Sequence, residues 1–243
     1  MPNKLTCIAA GALFLLASAA QAEAVQPARS RGHVVLLSNL LGAPGTFGLY
    51  FMANKLEKRL GVQTNVRWWG AFSLAADELQ RVKAADPSAV LVLVGHSQGA
   101  NRAAETAQIL ATRGVPVDLV VTLTPGGWPK AAPNVRRFVN LYFEGVPLSS
   151  RVEPAPGFGG ELVNVDVSHD WTLWHAFLDK MPSVQDRVVE EVRKALDSAV
   201  QTTSSTAPAT SNRLPRDGQR GPSGGIAPTQ SSNPAPLREG RRL

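Results

Sequence analysis

Residues 89–99 read Ala-Val-Leu-Val-Leu-Val-Gly-His-Ser-Gln-Gly. The apolar run carries no polar alternation, so a strand built from it has both faces covered, as in the middle of a parallel sheet flanked by helices. It ends in Gly95-His96-Ser97-Gln98-Gly99, a match to Gly-x-Ser-x-Gly. That pattern suits a tight, strained turn from strand into helix, where the two glycines remove side chains that would strike the neighbouring strand and helix, and the serine hydroxyl stands above the sheet edge. A helical pattern over 98–113, stopping at Gly114, supplies the helix the motif requires. The other reading of the glycines is a loop that merely packs strand against helix.

Working outward, five more apolar runs have strand length: 33–40, 62–68, 117–123, 136–143 and 161–167. Helical patterns lie between or after them at 46–60 (stopping at Gly61), at 73–85 (Ser73 as cap, Pro87 beyond the end) and at 183–199. Alternating strands and helices give an α/β architecture, a mainly parallel, doubly wound sheet of about six strands. Residues 124–135 are short and hold Pro125, Gly126, Gly127, Pro129 and Pro133, which leaves no room for a helical lid domain. Residues 144–160, the longest irregular stretch, are expected to provide whatever cover the site receives.

The two ends differ from this body. The chain has 243 residues, 25 Lys+Arg against 19 Asp+Glu, and 44% hydrophobic residues, enough to bury a substantial core. Its formal charge of +6 is carried by the ends: residues 201–243 hold six Arg against Asp217 and Glu239, and Lys4 adds another cation. The near-neutral body lacks a basic helix or aromatic-basic ladder, which argues against a nucleic-acid partner. Lys4, the apolar run 5–20 and Ala20-Gln21-Ala22 fit a secretory signal peptide over 1–22, the rival being a membrane anchor. Export to a bacterial periplasm or beyond follows as an expectation. The single cysteine, Cys7, falls inside that leader, so the mature chain holds no thiol for disulfides, catalysis or metal binding. From about residue 201 the chain turns to Ser, Thr, Pro, Gly, Asn and Gln with scattered Arg, the composition of a disordered tail. Arg238, Arg241 and Arg242 make weak contact with an anionic envelope or membrane surface the functional alternative to a plain spacer. The expected domains are thus a leader over 1–22, a globular body over 23–200 and a tail over 201–243.

With the Gly-His-Ser-Gln-Gly turn, the run 117–123 and the segment 163–168 followed by His175 and Pro182 in view, the sequence resembles the α/β-hydrolase superfamily over about residues 33–199. Within it the chain is most similar to small, lid-less bacterial thioesterase-like or lipase-like members. The resemblance implies a Ser-acid-His triad in that chain order, hydrolysis of an ester or thioester, a small-molecule or lipid-like acyl substrate, and no metal or organic cofactor.

Ser97 is the expected nucleophile. The Gln98 amide, at the N-terminus of a helix where free N–H groups favour developing negative charge, would form half of an oxyanion hole. By resemblance the other half comes from the backbone of Asn39 or Leu40, after the first strand. Four histidines compete for the role of base. His33 begins the first strand, away from the site, and His96 occupies the x of the turn, where a histidine points down into packing or a supporting hydrogen bond and its identity is uninformative. His169 and His175 both follow the last strand, and His175-Ala176-Phe177-Leu178-Asp179 looks like the catalytic-His segment of such hydrolases. The acid is harder to place. Thr124 stands where Asp is expected after the run 117–123, and Thr cannot supply a charge, so Glu144 at the end of the next strand is the replacement, with Asp170 as alternative. The role of such an acid is to hold the imidazole tautomer and stabilise the imidazolium. Trp68, Trp69, Trp128, Trp171 and Trp174 all lie at or after strand ends, with Phe47 and Phe72 near by in sequence. Ligands bind at that rim of a parallel sheet, so the five suggest an apolar acyl pocket, or else a seal over the core. The absent acid at Thr124 keeps open a second class of function, a hydrolase-like scaffold of the cell envelope that binds without efficient turnover.

Overall fold

The computed structural model describes residues 31–40, 47–170 and 175–205. Residues 1–22, read as a leader, Trp171 and Trp174, and residues 206–243, most of the expected tail, lie outside the described residues. Six strands form one parallel sheet: β1 (Gly32–Leu37), β2 (Gln63–Arg67), β3 (Val90–His96), β4 (Val117–Leu123), β6 (Val135–Tyr142) and β8 (Glu161–Asp166), in the order β2-β1-β3-β4-β6-β8. Helices α1 (Phe47–Leu60), α2 (Phe72–Ala85), α3 (Gln98–Thr112) and α4 (Pro182–Ser205) connect and follow them.

The alternation of side chains along each strand feeds two core layers. Val34 and Leu36, with Val92 and Val94, pack on Leu49, Met52 and Leu56 of α1 and Val184, Val188 and Val192 of α4. Val35 and Leu37, with Leu91 and Leu93, pack on Ala75, Ala76 and Leu79 of α2 and Ala103, Ala107 and Leu110 of α3. All seven residues of β3 and all seven of β4 are buried, which is why the run 89–95 reads as continuously apolar. This is a doubly wound α/β sheet, consistent with the minimal α/β-hydrolase architecture expected from the sequence. The connection through α1 runs from β1 to β2 on one side, and the one through α2 crosses back from β2 over β1 to β3 on the other, so the strand order reverses there and a ligand crevice is expected where the carboxyl ends of β1 and β3 meet.

His33 is structural. Its Nε2 meets Glu78 of α2 at 2.8 Å, and Asn65 and Arg67 of β2 donate to the same carboxylate, tying the helix to the edge strand. Three expectations need correction. Helix α2 begins at Phe72, one residue before Ser73, with Ala71 at its cap and no side-chain capping bond, because the short 3-10 turn Trp69–Ala71 leads straight into it. Helix α4 runs on to Ser205, past residue 200, where a tail was expected to begin. Residues 152–160 do not serve as cover. Val152 is clamped by the Asn164 side chain, β7 (Glu153–Pro154) pairs with β5 (Lys130–Ala131), and Phe158 packs on the core layer under α2 and α3. Only the start of that connection, with exposed Val146 and Leu148, stays near the strand ends.

Candidate active site

Ser97 sits between β3 and α3 with φ 55° and ψ −120°, a conformation that non-glycine residues rarely adopt. The turn is held by its surroundings. The Ser97 amide donates to the Leu123 carbonyl at 2.8 Å, and the Ser97 carbonyl accepts from Ala100 at 2.9 Å as the first bond of α3. Both glycines are required by close backbone approach. A Cβ on Gly95 would lie 2.6 Å from the Ala100 Cα, and one on Gly99 would lie 2.6 Å from the Leu37 carbonyl carbon and closer still to the Leu37 and Ser38 oxygens. Backbone cannot swing aside as a side chain can. Gly99→Ala is therefore expected to destabilise the protein by about 2 kcal/mol in denaturant unfolding, the range of overpacked sites, and to displace Ser97. The same contact brings the end of β1 against the first turn of α3, so Asn39 and Leu40 follow directly beside the turn that carries Ser97. Gln98 is the first residue of α3, with its amide at the helix N-terminus.

His175 opens a 3-10 helix, His175–Lys180. Its Nε2 lies 3.1 Å from Ser97 Oγ, positioned to accept the serine proton. Burial, with His96 adding to it, holds the His175 imidazole below its ordinary pKa, so the ring is neutral and able to accept a proton. His169 is elsewhere: its side chain is 93% exposed and its nearest charged partner is Asp166, at 3.8 Å.

Glu144 does not reach the base. It is exposed on the turn after β6, its carboxylate engages the Tyr142 hydroxyl, and its amide donates to Asp166 Oδ1 at 3.2 Å. These bonds, together with the reversal at Gly145 (φ 73°), direct it toward the outer strand β8 and away from β3. Asp170 lines a separate groove of about 600 Å³ with Leu141, Val165, Ser183 and Arg187. Thr124 is fully buried at φ 48° with its hydroxyl unpartnered among the described residues. The Nδ1 of His175 is likewise buried with no hydrogen-bond partner among them.

Two residues stand behind the base, His96, expected only to pack or to make a supporting hydrogen bond, and Asp179, for which the sequence indicated no role. His96, 1% exposed, donates from Nε2 to the His175 carbonyl at 2.8 Å, and its Nδ1 faces Asp179 Oδ1 at 3.6 Å. Asp179 is fully buried in the same 3-10 helix as His175, against Gly48 of α1. The signal was an Asp at i+4 from the candidate base, inside an otherwise apolar stretch.

The tryptophans divide. Trp68 is 55% exposed and tilted against Trp69, with ring centroids 5.0 Å apart. Arg102 of α3 lies over the rings of Trp69 and Phe72, at 5.0 and 4.6 Å, so these two aromatics cover the helix that Ser97 starts. Trp128 stands 70% exposed after β4 at φ 50°. Together with exposed Leu40, Phe47 and Phe177, they leave an apolar rim at the carboxyl ends of the strands. Among the described residues, the three non-glycine residues with positive φ, Ser97, Thr124 and Trp128, all follow β3 or β4 on this same side, where backbone strain commonly accompanies function.

No family model and no curated protein sequence matches the chain. Among solved structures, the chain is similar to the RedJ thioesterase from the prodiginine biosynthetic pathway in Streptomyces coelicolor, at 12% identity and TM-score 0.46, covering 70% of this chain and 92% of that one. It is also similar to human thioesterase 2, at 10% identity and TM-score 0.48, covering 70% and 97%. A third is YbtT, a type II thioesterase from the yersiniabactin pathway, at 14% identity and TM-score 0.43, covering 72% and 97%.

Proposed function

We propose that the protein is a serine hydrolase that cleaves an ester or thioester through an acyl-enzyme. The reading is carried by one observation, His175 Nε2 at 3.1 Å from the Oγ of a serine held at φ 55° on a strand-to-helix turn. Ser97 Oγ attacks the acyl carbonyl carbon while its proton passes to His175 Nε2. The negative charge that develops on the carbonyl oxygen is taken by the Gln98 amide at the start of α3 and by an amide of the Asn39–Leu40 turn. The His175 imidazolium then returns its proton to the leaving alkoxide or thiolate, and water repeats the sequence to free Ser97. The lowered pKa of His175 supports its role as base, and the rim of Leu40, Phe47, Trp68 and Trp128 supports an apolar acyl group. The leader-like residues 1–22 support an exported enzyme. Wild type is expected to label stoichiometrically with a fluorophosphonate probe and to release p-nitrophenol from a short-chain p-nitrophenyl ester with a burst, and Ser97→Ala to do neither. Absence of a Ser97 adduct at high probe concentration rejects the proposal.

A second reading is favoured by the Nδ1 of His175, unpartnered among the described residues, and by Glu144 lying away from it: a hydrolase-like scaffold that binds an apolar envelope ligand with little turnover. In a known triad, replacing the acid by its amide lowers kcat by about 10⁴. Wild-type hydrolysis no faster than that of Ser97→Ala decides for this reading.

A further inference from the structure

We propose that Asp179 is a positioning residue for His175, acting through His96 as a protonated carboxyl rather than as the ionised acid of a triad. The inference rests on the reading of His175 as the base.

The tautomer of His96 follows from its partner. A carbonyl oxygen only accepts, so the 2.8 Å contact to the His175 carbonyl requires the proton on His96 Nε2. In the neutral ring Nδ1 is then a bare lone pair, and it faces Asp179 Oδ1 at 3.6 Å. Both side chains are out of solvent, at 1% and 0% exposure. Two acceptors facing each other in a buried site repel unless one carries a proton, and burial decides which. It drives the His96 imidazole down to about 4 and the Asp179 carboxyl up to about 6, so below about pH 6 the proton resides on Asp179.

The groups facing Asp179 from each packed element favour its ionised form, its own amide included, and burial outweighs them. From β3 comes His96, and from its own 3-10 helix come His175 and Lys180, of which Lys180 favours the ionised form. From α1 come the backbone of Gly48 and the Leu49 amide, which lies near the carboxyl without a well-formed hydrogen bond, and from α4 the Gln185 amide, which donates to the Asp179 carbonyl at 3.0 Å. None is a cation bonded to the carboxylate.

The consequence reaches the nucleophile through one hydrogen bond. While Asp179 keeps its proton, His96 keeps Nε2–H on the His175 carbonyl, and the first turn of the 3-10 helix is pinned with the His175 ring on Ser97. Once Asp179 ionises, the His96 proton is drawn to Nδ1. The bare Nε2 then faces the His175 carbonyl, and the bond that holds the base is lost.

Asparagine tests this, because its amide offers Nδ1 the same donor as a protonated carboxyl and never ionises. In full-length protein at pH 5.5, Asp179→Asn is expected to retain most of the wild-type kcat for the p-nitrophenyl ester, while Asp179→Ala loses at least about tenfold in kcat with KM nearly unchanged. The fall in wild-type kcat on the alkaline side of the profile is expected to be absent from Asp179→Asn. Ring ¹⁵N spectra, independent of turnover, should show His96 as the Nε2–H tautomer in wild type at pH 5.5 and in Asp179→Asn at any pH. Equal loss of activity in folded Asp179→Asn and Asp179→Ala identifies an ionised acid and overturns the proposal, as does an unchanged Asp179→Ala or an Nδ1–H tautomer in wild type at pH 5.5. Should Asp179→Ala fail to fold, the activity and spectra of Asp179→Asn decide. If Ser97 takes no fluorophosphonate label, the hydrolase reading fails by itself, and the spectra still judge the His96–Asp179 pair.

Discussion

Replacement of His175 by alanine is expected to lower kcat on a short-chain ester by at least about 10³, with KM and melting temperature close to wild type, because losing the base removes an interaction used only in the transition state. The structure separates the chemical loss from a folding defect. What the core uses of residue 175 is its carbonyl, which accepts the His96 Nε2–H at 2.8 Å, and alanine retains that carbonyl. The ring itself meets Ser97 Oγ through Nε2 and leaves Nδ1 without a partner among the described residues, so few contacts vanish with it. His169→Ala, by contrast, is expected to retain at least roughly a tenth of wild-type activity, since that side chain stands 93% in solvent beside Asp166. The two variants need only steady-state kinetics on protein shown to be folded by circular dichroism. The opposite ranking, with His169→Ala inactive and His175→Ala active, would sink the assignment of the base.

The parts of the molecule legible in the sequence are those set by local pattern. The run at β3, buried on both faces, could only be an inner strand, and Gly95 and Gly99 carry their steric reason in the motif itself. The strand at 117–123 lies where its apolar run lies, and the boundaries of β6 and β8 fall within a residue or two of expectation. What the sequence could not show depends on where a loop goes once it leaves the sheet. Glu144 ends a strand next to the right region, but the bond of its amide to Asp166 and the turn at Gly145 send it outward, an outcome set by tertiary partners rather than by spacing. The role of His96 is invisible for the same reason. A histidine after the first glycine of the turn packs downward in either case, and only the path of residues 175–180 beneath it decides whether it meets carbon or a carbonyl and a carboxyl. Residue 152 onward misled through composition: proline and glycine there mark a segment pinned to the sheet face by Asn164, not a cover over Ser97.

Asp179 also carries an effect on stability, of a sign that separates it from an ordinary buried ion pair. Its carboxyl titrates at about 6 in the fold against an ordinary 3.8, because burial disfavours the charge more than Lys180 and the nearby amides favour it. A carboxyl whose pKa is raised by folding binds its proton more tightly in the native state. Its contribution to stability is therefore fully present below about pH 4 and is lost as pH rises through about 6. Above that range the fold carries a buried carboxylate, and the His96 proton drawn to face it is lost to the His175 carbonyl. At about 1.4 kcal/mol per pH unit, the shift sets the loss at about 3 kcal/mol between acid and neutral solution. Asp179→Asn keeps the shape and has no proton to lose. Denaturant unfolding at a series of pH values is therefore expected to show the variant gaining on wild type from pH 4 to pH 7.5, by about 2 to 3 kcal/mol, with no further gain at higher pH. The gain should be matched by release of about one proton more from wild type than from Asp179→Asn on titrating the folded state from pH 4 to pH 7.5. A stability difference that stays flat with pH, or one that favours wild type as pH rises, would mean that Asp179 is ionised throughout and stabilised by partners, in which case the His96 ring beside it must hold the proton instead.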